Sequence, residues 1–283
     1  INLLQTDTIT LDAKREKLIN ILSNMESVIV AYSGGVDSAF LAAISNQVLG
    51  DKSLAVIAVS PSLAPSELYD AEELADMLNL NFRKVETNEI EREDYKANNP
   101  DRCFFCKDEL YSHLMKFAES ETYNYVLNGT NKDDLGDYRP GIDAAKQYGV
   151  RSPLVEAELT KEDIRTLSKN MGLEVWDKPA QACLSSRIPY GTTVTVEALT
   201  RIAKAEHFLR SKGFKQIRVR HHDSIARIEV NPSDLGDFIS EPLRSEINDE
   251  FKKIGYSYVT LDMEGFRSGS LNEILSDLAK KNN

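Results

Sequence analysis

Val28–Phe40 reads VIVAYSGGVDSAF. The apolar run Val28 to Ala31 predicts a buried strand, Ser33-Gly34-Gly35 a tight turn, and Asp37-Ser38 the opening of a helix. Two adjacent glycines let backbone come close to a bound group. A helix start carries unpaired N–H groups and the positive end of the helix dipole, which together make an anion site. The spacing is neither a Walker A loop nor a GxGxxG fingerprint. An ordinary strand–turn–helix corner is the plainer alternative for the same residues.

Outward from that loop, strands and helices alternate. Asp12–Asn24 predicts an amphipathic helix with Leu18, Ile21 and Leu22 on one face. Leu54–Val59 is a continuous apolar run, as expected of a strand covered on both faces. Helices are expected over Ser66–Leu80, Lys107–Glu119 and Asp143–Tyr148, with strands at Asn81–Glu86, Tyr123–Asn128 and Val150–Val155. Thr160 and Asp163 have the spacing of a capping box and start a helix to Met171. This order predicts an α/β fold, a parallel sheet with helices on both faces. Such sheets bind ligands beyond the carboxyl ends of their strands.

After Arg187 the pattern changes. Thr195–Lys212 predicts a helix, Gln216–His221 and Ile225–Val230 strands, Ser233–Ile254 one long helix, and Tyr256–Leu261 a strand. That is a smaller C-terminal α+β domain with a mixed or antiparallel sheet. Two domains are expected, 1–192 and 193–283. The tail Lys280–Asn283 is expected to fray.

The 283 residues carry a net charge of −11, which argues against chain-wide attraction to nucleic acid. No apolar stretch is long enough to cross a membrane. The opening INLLQTDTITLDAKREK lacks an apolar core, so no signal peptide is expected and the default compartment is the cytoplasm.

Cys103, Cys106 and Cys183 are the three cysteines. An odd, small number is no disulfide framework and points to metal binding or thiol chemistry. Cys103-Phe-Phe-Cys106 sits just before a predicted helix and is weak alone: a redox pair, half a zinc site or chance would give it. With Cys183, three thiolates suffice for a [4Fe–4S] cluster with one open iron. A sulfur relay ending on Cys183, a zinc site completed by a histidine, and unrelated buried cysteines remain open. Asp37, at the helix start, is placed to hold a Mg²⁺ bridging phosphates or to cap the helix. Ser33 and Ser38 add hydroxyls. In Asn128-Gly-Thr-Asn-Lys-Asp-Asp134, Gly129 gives backbone access, and Asp133 and Asp134 would bind metal or cap. Arg187 offers a fork for a carboxylate or phosphate. Arg218 and Arg220 alternate about Val219 and share one strand face, as a phosphate clamp or a solvated surface. Glu206 would hold an arginine or a metal, or lie exposed.

SGGVDS matches the PP-loop of the ATP pyrophosphatases, enzymes that cut ATP between the α and β phosphates. Together with NGTNKDDLGDYRPG, ACLSSRIPYGTT, RVRHHDSIARIE and YSYVTLDMEGFRSGSLN, the chain resembles the LarE-type sulfur transferases, from about residue 14 to 275. The resemblance implies a PP-loop (adenine nucleotide α-hydrolase-like) domain and a role in making a nickel-pincer nucleotide cofactor. In that family ATP adenylylates a carboxylate of pyridinium-3,5-biscarboxylic acid mononucleotide, and sulfur then displaces AMP to leave a thiocarboxylate. One subtype sacrifices a cysteine sulfur. The other holds a [4Fe–4S] cluster on three cysteines and needs sulfide or another sulfur donor. Three cysteines here resemble the second, with Cys103, Cys106 and Cys183 as ligands. The resemblance further implies nucleotide contacts from Ser33, Gly34, Gly35, Asp37, Ser38, Gly129, Ser186 and Arg187. It implies phosphate binding by Lys107, Arg218 and Arg220 near Glu206, Mg²⁺ on Asp37, and a homo-oligomer. A tRNA-thiolating enzyme and a PP-loop amide-forming ligase are the competing readings; no nucleic-acid or membrane partner is expected.

Overall fold

The structure, a computed structural model, describes residues 10–136, 140–179, 182–267 and 270–272. In chain order α1 (Leu11–Ser23), β1 (Val28–Ala31), α2 (Val36–Leu49), β2 (Ser53–Val59), α3 (Pro65–Met77) and β3 (Phe82–Glu86) come first. α4 (Glu93–Lys96), α5 (Arg102–Ser120), β4 (Tyr125–Leu127), α6 (Pro140–Gln147), α7 (Pro153–Glu156) and α8 (Lys161–Asn170) follow. α9 (Val196–Ser211), β5 (Ile217–His222), β6 (Ile225–Val230), α10 (Leu235–Phe238), α11 (Leu243–Ile254) and β7 (Tyr258–Leu261) complete the described part. The tail expected to fray lies outside the described residues.

Two compact units are present. Of the described residues, 10–59, 67–87 and 103–179 make the first; 60–66, 88–102, 182–267 and 270–272 make the second. In the first, the strands pair in parallel in the order β3-β2-β1-β4. β1 lies inside the sheet and its first three residues are fully buried. α2 is apolar on nearly every side (Ala39 through Ile44 are buried), as befits a helix wedged in a core. The Thr160–Asp163 capping box forms as the sequence predicts, with both reciprocal bonds made.

The strand expected at Val150–Val155 does not form. Arg151 makes a single parallel bridge to Leu127, and Pro153 then starts α7. Proline has no N–H to give a ladder, and its fixed φ suits the first turn of a helix.

In the second unit β5 and β6 are antiparallel and β6 and β7 parallel. Leu209, Val219, Ile228, Ile247 and Phe251 belong to its core. The single helix expected over Ser233–Ile254 is two, α10 and α11. Pro242, just ahead of α11, cannot donate the bond that would carry the earlier helix onward.

Candidate functional site

β4 and β2 flank β1 on opposite sides. Chain order therefore reverses between β1 and β4, where a parallel sheet opens a crevice at its carboxyl edge. Residues 33–38 leave β1 there, and residues 128–134 leave β4. Gly34 has φ +69, and a Cβ at it would lie 2.7 Å from the Ala71 Cβ of α3. Gly129 lies so close to the first turn of α2 that a Cβ would sit 2.9 Å from the Ser38 amide nitrogen. Ser38 staples the loop: its Oγ accepts from the Ser33 amide (3.1 Å), donates to the Gly35 carbonyl (3.1 Å) and lies 3.0 Å from the Ser33 hydroxyl. Tyr32, next to the loop, donates to the Ala71 carbonyl (3.0 Å), fixing the end of β1 against α3.

Asp37 stands in the first turn of α2. Its Oδ1 accepts from Asn131 Nδ2 (3.2 Å), and its Oδ2 is ion-paired with the Lys161 ammonium. Neither partner was singled out from sequence. Lys161 was hidden inside the capping box that places it, and Asn131 inside a turn signal. Asp133 and Asp134 serve as backbone caps, accepting from the Lys161 amide (2.8 Å) and the Asn131 amide (3.1 Å). Asn131 Oδ1 accepts in turn from the Asp133 amide (2.9 Å). The crevice thus presents a glycine turn, a helix N-terminus, a carboxylate and a lysine, which together suit phosphate groups and their metal counter-ion.

The Cys103–Cys106 pair lies inside α5, as its second and fifth residues, and not ahead of the helix. The residues of CFFCK give no break, so the helix begins at Arg102 instead of Lys107. At positions i, i+3 and i+4, Cys103, Cys106 and Lys107 share one helix face. Gly141, in α6, approaches that face so closely that a Cβ would lie 3.0 Å from the Lys107 Cγ.

The second unit carries Cys183, Ser186, Arg187, Glu206, Arg218 and Arg220. Arg187 and Glu206 are each 2 % exposed and form a bidentate pair, Nε to Oε1 at 2.8 Å and Nη2 to Oε2 at 3.1 Å. Arg187 Nη1 donates to the Ala182 carbonyl (2.5 Å), the Cys183 carbonyl (3.0 Å) and the Ser186 hydroxyl (3.0 Å). Arg220 pairs with Glu229 (2.8 and 2.9 Å) and reaches the Ser186 carbonyl (2.7 Å) and the Ser270 hydroxyl (2.6 Å). Arg218 donates to the Ile217 carbonyl and its guanidinium lies 4.9 Å from the centre of the Phe266 ring. Neither β5 arginine is on a solvated face; each is 7 % exposed.

Burial, helped by the nearby Arg187 and Arg220 and opposed by Glu206, lowers the Arg218 guanidinium to about 10. Burial pushes the Glu206 carboxyl up, yet Arg187 and the Val219 amide outweigh it and hold it below the ordinary glutamate range.

A family model for NAD synthase matches residues 14–135. A pyridinium-3,5-bisthiocarboxylic acid mononucleotide synthase from Lactiplantibacillus plantarum is 39% identical over 268 residues, 94% of this chain and 96% of that protein. The chain belongs to the LarE-type family. An uncharacterized Synechocystis protein is 46% identical over 94% of this chain and 99% of its own length. A tRNA-specific 2-thiouridylase of Rickettsia rickettsii is 29% identical over 57% of this chain and 54% of its own length. Family membership makes the chain an ATP-dependent enzyme of the PP-loop class. Among the described residues no helix is long and apolar enough to cross a membrane.

LarE-type enzymes with three cysteines imply a [4Fe–4S] cluster. Among the described residues no three histidine, cysteine or acidic side chains are gathered into a metal site. Cys183 belongs to a different unit from Cys103 and Cys106. Thiols outside any disulfide are the donor type such a cluster takes. Two thiols stand within the first five residues of a long helix, whose dipole favours negative charge there. The third is solvent-exposed, and guanidiniums cover the carbonyls of its turn. None of the three is in a disulfide.

Proposed function

We propose that the protein adenylylates a ring carboxylate of pyridinium-3,5-biscarboxylic acid mononucleotide with ATP and converts it to a thiocarboxylate, with sulfur supplied through Cys103, Cys106 and Cys183. The observation that carries this is the reach of the similarity. The NAD synthase match ends at residue 135 and the thiouridylase matches cover little more than half the chain, whereas the synthase match runs through both units.

A carboxylate is a poor electrophile because its oxygens leave badly. In the first half-reaction a ring carboxylate oxygen attacks the α-phosphorus of ATP and pyrophosphate departs. Ser33, Gly34, Gly35, Ser38 and Gly129 line the crevice and offer backbone N–H groups and hydroxyls to the phosphates. Mg²⁺ held by Asp37 would neutralise charge on the leaving group. The Lys161 ammonium, paired with Asp37, is the second positive group for that task. In the second half-reaction sulfur attacks the activated carbonyl carbon and AMP leaves.

A [4Fe–4S] cluster bound by Cys103, Cys106 and Cys183 would supply that sulfur at its open iron, recharged by sulfide or another donor. Arg218, Arg220 and Lys107 are assigned to the substrate phosphate, which guanidinium and ammonium groups bind through charge-assisted hydrogen bonds. Ser186 is assigned to the nucleotide. Arg187 contributes by holding that turn, since Glu206, Ala182, Cys183 and Ser186 take up its donors. Three thiols outside any disulfide, two of them exposed, suit a reducing compartment, the cytoplasm. A homo-oligomer is adopted from the family resemblance, and the C-terminal domain from residue 193 is assigned substrate-phosphate binding and assembly.

The test is pyrophosphate release with each candidate substrate. Release that depends on the pyridinium mononucleotide supports the proposal. Release that depends on unmodified tRNA, bound with a steep salt dependence, would move the chain to tRNA thiolation.

A further inference from the structure

The turn Leu184–Arg187, headed by Cys183, is fastened from several sides, all within the second unit. Arginines take its carbonyls: Arg187 those of Ala182 and Cys183, Arg102 that of Ser185 (2.9 Å) and Arg220 that of Ser186. The Leu184 amide donates to the Ser62 carbonyl (2.9 Å). Ser62 leads from this turn to a buried group that the proposed reaction leaves unused, the Glu89 carboxylate, in the same unit.

Glu89 is 2 % exposed. The hydroxyls of Ser60 (2.5 Å) and Ser62 (2.7 Å) both donate to its Oε1. A serine has one hydroxyl proton, so both are spent on that oxygen. Among the described residues no donor reaches Oε2 and no cation pairs with the carboxylate. A tether between residues 60–62 and Glu89 accounts for Oε1 alone. A buried acceptor without a donor is costly, and Oε2 is such an acceptor.

The neighbourhood indicates which donor would meet it. Leu184, bonded to Ser62, and Ser186, bonded to Arg220, are two residues apart on a 3-10 turn, about 4 Å of rise. Arg220 is assigned to the substrate phosphate and Ser186 to the nucleotide. In a mononucleotide the sugar is joined to that phosphate through a single methylene, so a phosphate on one flank of the turn brings the sugar hydroxyls with it. We propose that Glu89 is a specificity residue whose Oε2 accepts a hydrogen bond from a ribose hydroxyl of the substrate mononucleotide, while Ser60 and Ser62 fix the other oxygen. This rests on the proposed pyridinium mononucleotide substrate. An ionised acceptor binds a hydroxyl more strongly than a neutral one, and acidic side chains hold ribose in this way in dinucleotide-binding folds. Such a site rejects a ligand that lacks the hydroxyl, because the buried acceptor is then left without a partner.

The full chain, without ATP, is titrated calorimetrically with pyridinium-3,5-biscarboxylic acid mononucleotide and with its 2′-deoxy and 3′-deoxy forms. The wild type is expected to bind at least one deoxy form about tenfold or more weakly than the ribo form. Glu89→Met, which keeps the length and removes the acceptor, should bring the forms within about twofold of one another by weakening the ribo form alone. Glu89→Gln should fall between the two. Wild-type discrimination in either folded variant overturns the proposal, as does equal weakening of ribo and deoxy forms, the mark of a tether alone. If Glu89→Met fails to fold, Glu89→Gln decides. Discrimination between ATP and its 2′-deoxy or 3′-deoxy form that the variants abolish, with none lost for the mononucleotide, overturns the assignment to the substrate's sugar. A wild type that binds ribo and deoxy mononucleotides alike also overturns the role of Glu89. A wild type that binds none of them fails the proposed substrate itself, a different result.

Discussion

The crevice after β1 and the turn at Cys183 solve the same problem, holding a stretch of backbone still, by opposite means. The crevice uses small residues and main chain. Gly34 and Gly129 make room, Ser38 staples its own loop, and the helix start supplies the N–H groups. Its parts are mostly neighbours in sequence. The turn uses long charged side chains gathered from far apart: Arg102, Arg187, Glu206, Arg220 and Glu229. The first design buries few charges. In the second, each charge is buried, so removing one partner strands another. Single changes should therefore separate the two regions by what they damage.

The largest effect is expected at Glu206. Glu206→Ala leaves Arg187 buried without its carboxylate and should cost about 3–5 kcal/mol in urea unfolding. The pair Arg187→Met with Glu206→Leu should cost less than Glu206→Ala alone, since no charge is then left over. A loss under about 1 kcal/mol for Glu206→Ala, the range of an exposed pair, would break the contrast. Acid sharpens it. The folded Glu206 carboxyl is held below its unfolded value, so its contribution is present above the ordinary glutamate range and fades as pH falls through the folded value. Glu206→Gln should flatten that acid limb in unfolding measured from neutral to acid pH.

Next comes Asp37. Asp37→Asn should lower pyrophosphate release by at least about 10²-fold, with a melting temperature close to the wild type. A comparable loss of stability would show that the crevice is built like the turn. Lys161→Met should reduce the same rate by about tenfold, near 1.4 kcal/mol, and should raise the ATP concentration needed for half-maximal rate. The smallest change is at the cap that places Lys161. Thr160→Ala should cost about 1 kcal/mol of stability, read as a small shift of the urea midpoint.

The same contrast explains what could be read from the amino-acid order. SGGVDS is contiguous, and its strand, turn and helix follow from local rules, so its place at the carboxyl edge of a parallel sheet was legible. The capping box at Thr160 was legible for the same reason. That Lys161 lands on Asp37 was not, because 124 residues separate them. Glu229, which holds Arg220, was equally hidden, whereas an arginine was one of the partners open to Glu206. Which of the readings open to a helix glutamate such as Glu206 holds is settled only by the strand beside it, whose Val219 amide donates to the carboxylate. Pro153 and Pro242 carried their own warnings, since each ends a pattern that apolar periodicity alone would extend. CFFCK carried none, and only the helix itself reveals that both thiols sit within its first five residues.

The most direct measurement counts thiocarboxylate and AMP formed per chain under anaerobic conditions, with ATP, magnesium, excess sulfide and the pyridinium mononucleotide. Equal amounts of the two products are expected, more than one of each per chain, from a protein whose mass is unchanged afterwards. Thiocarboxylate limited to one per chain, with Cys183 stripped of its sulfur, would contradict it.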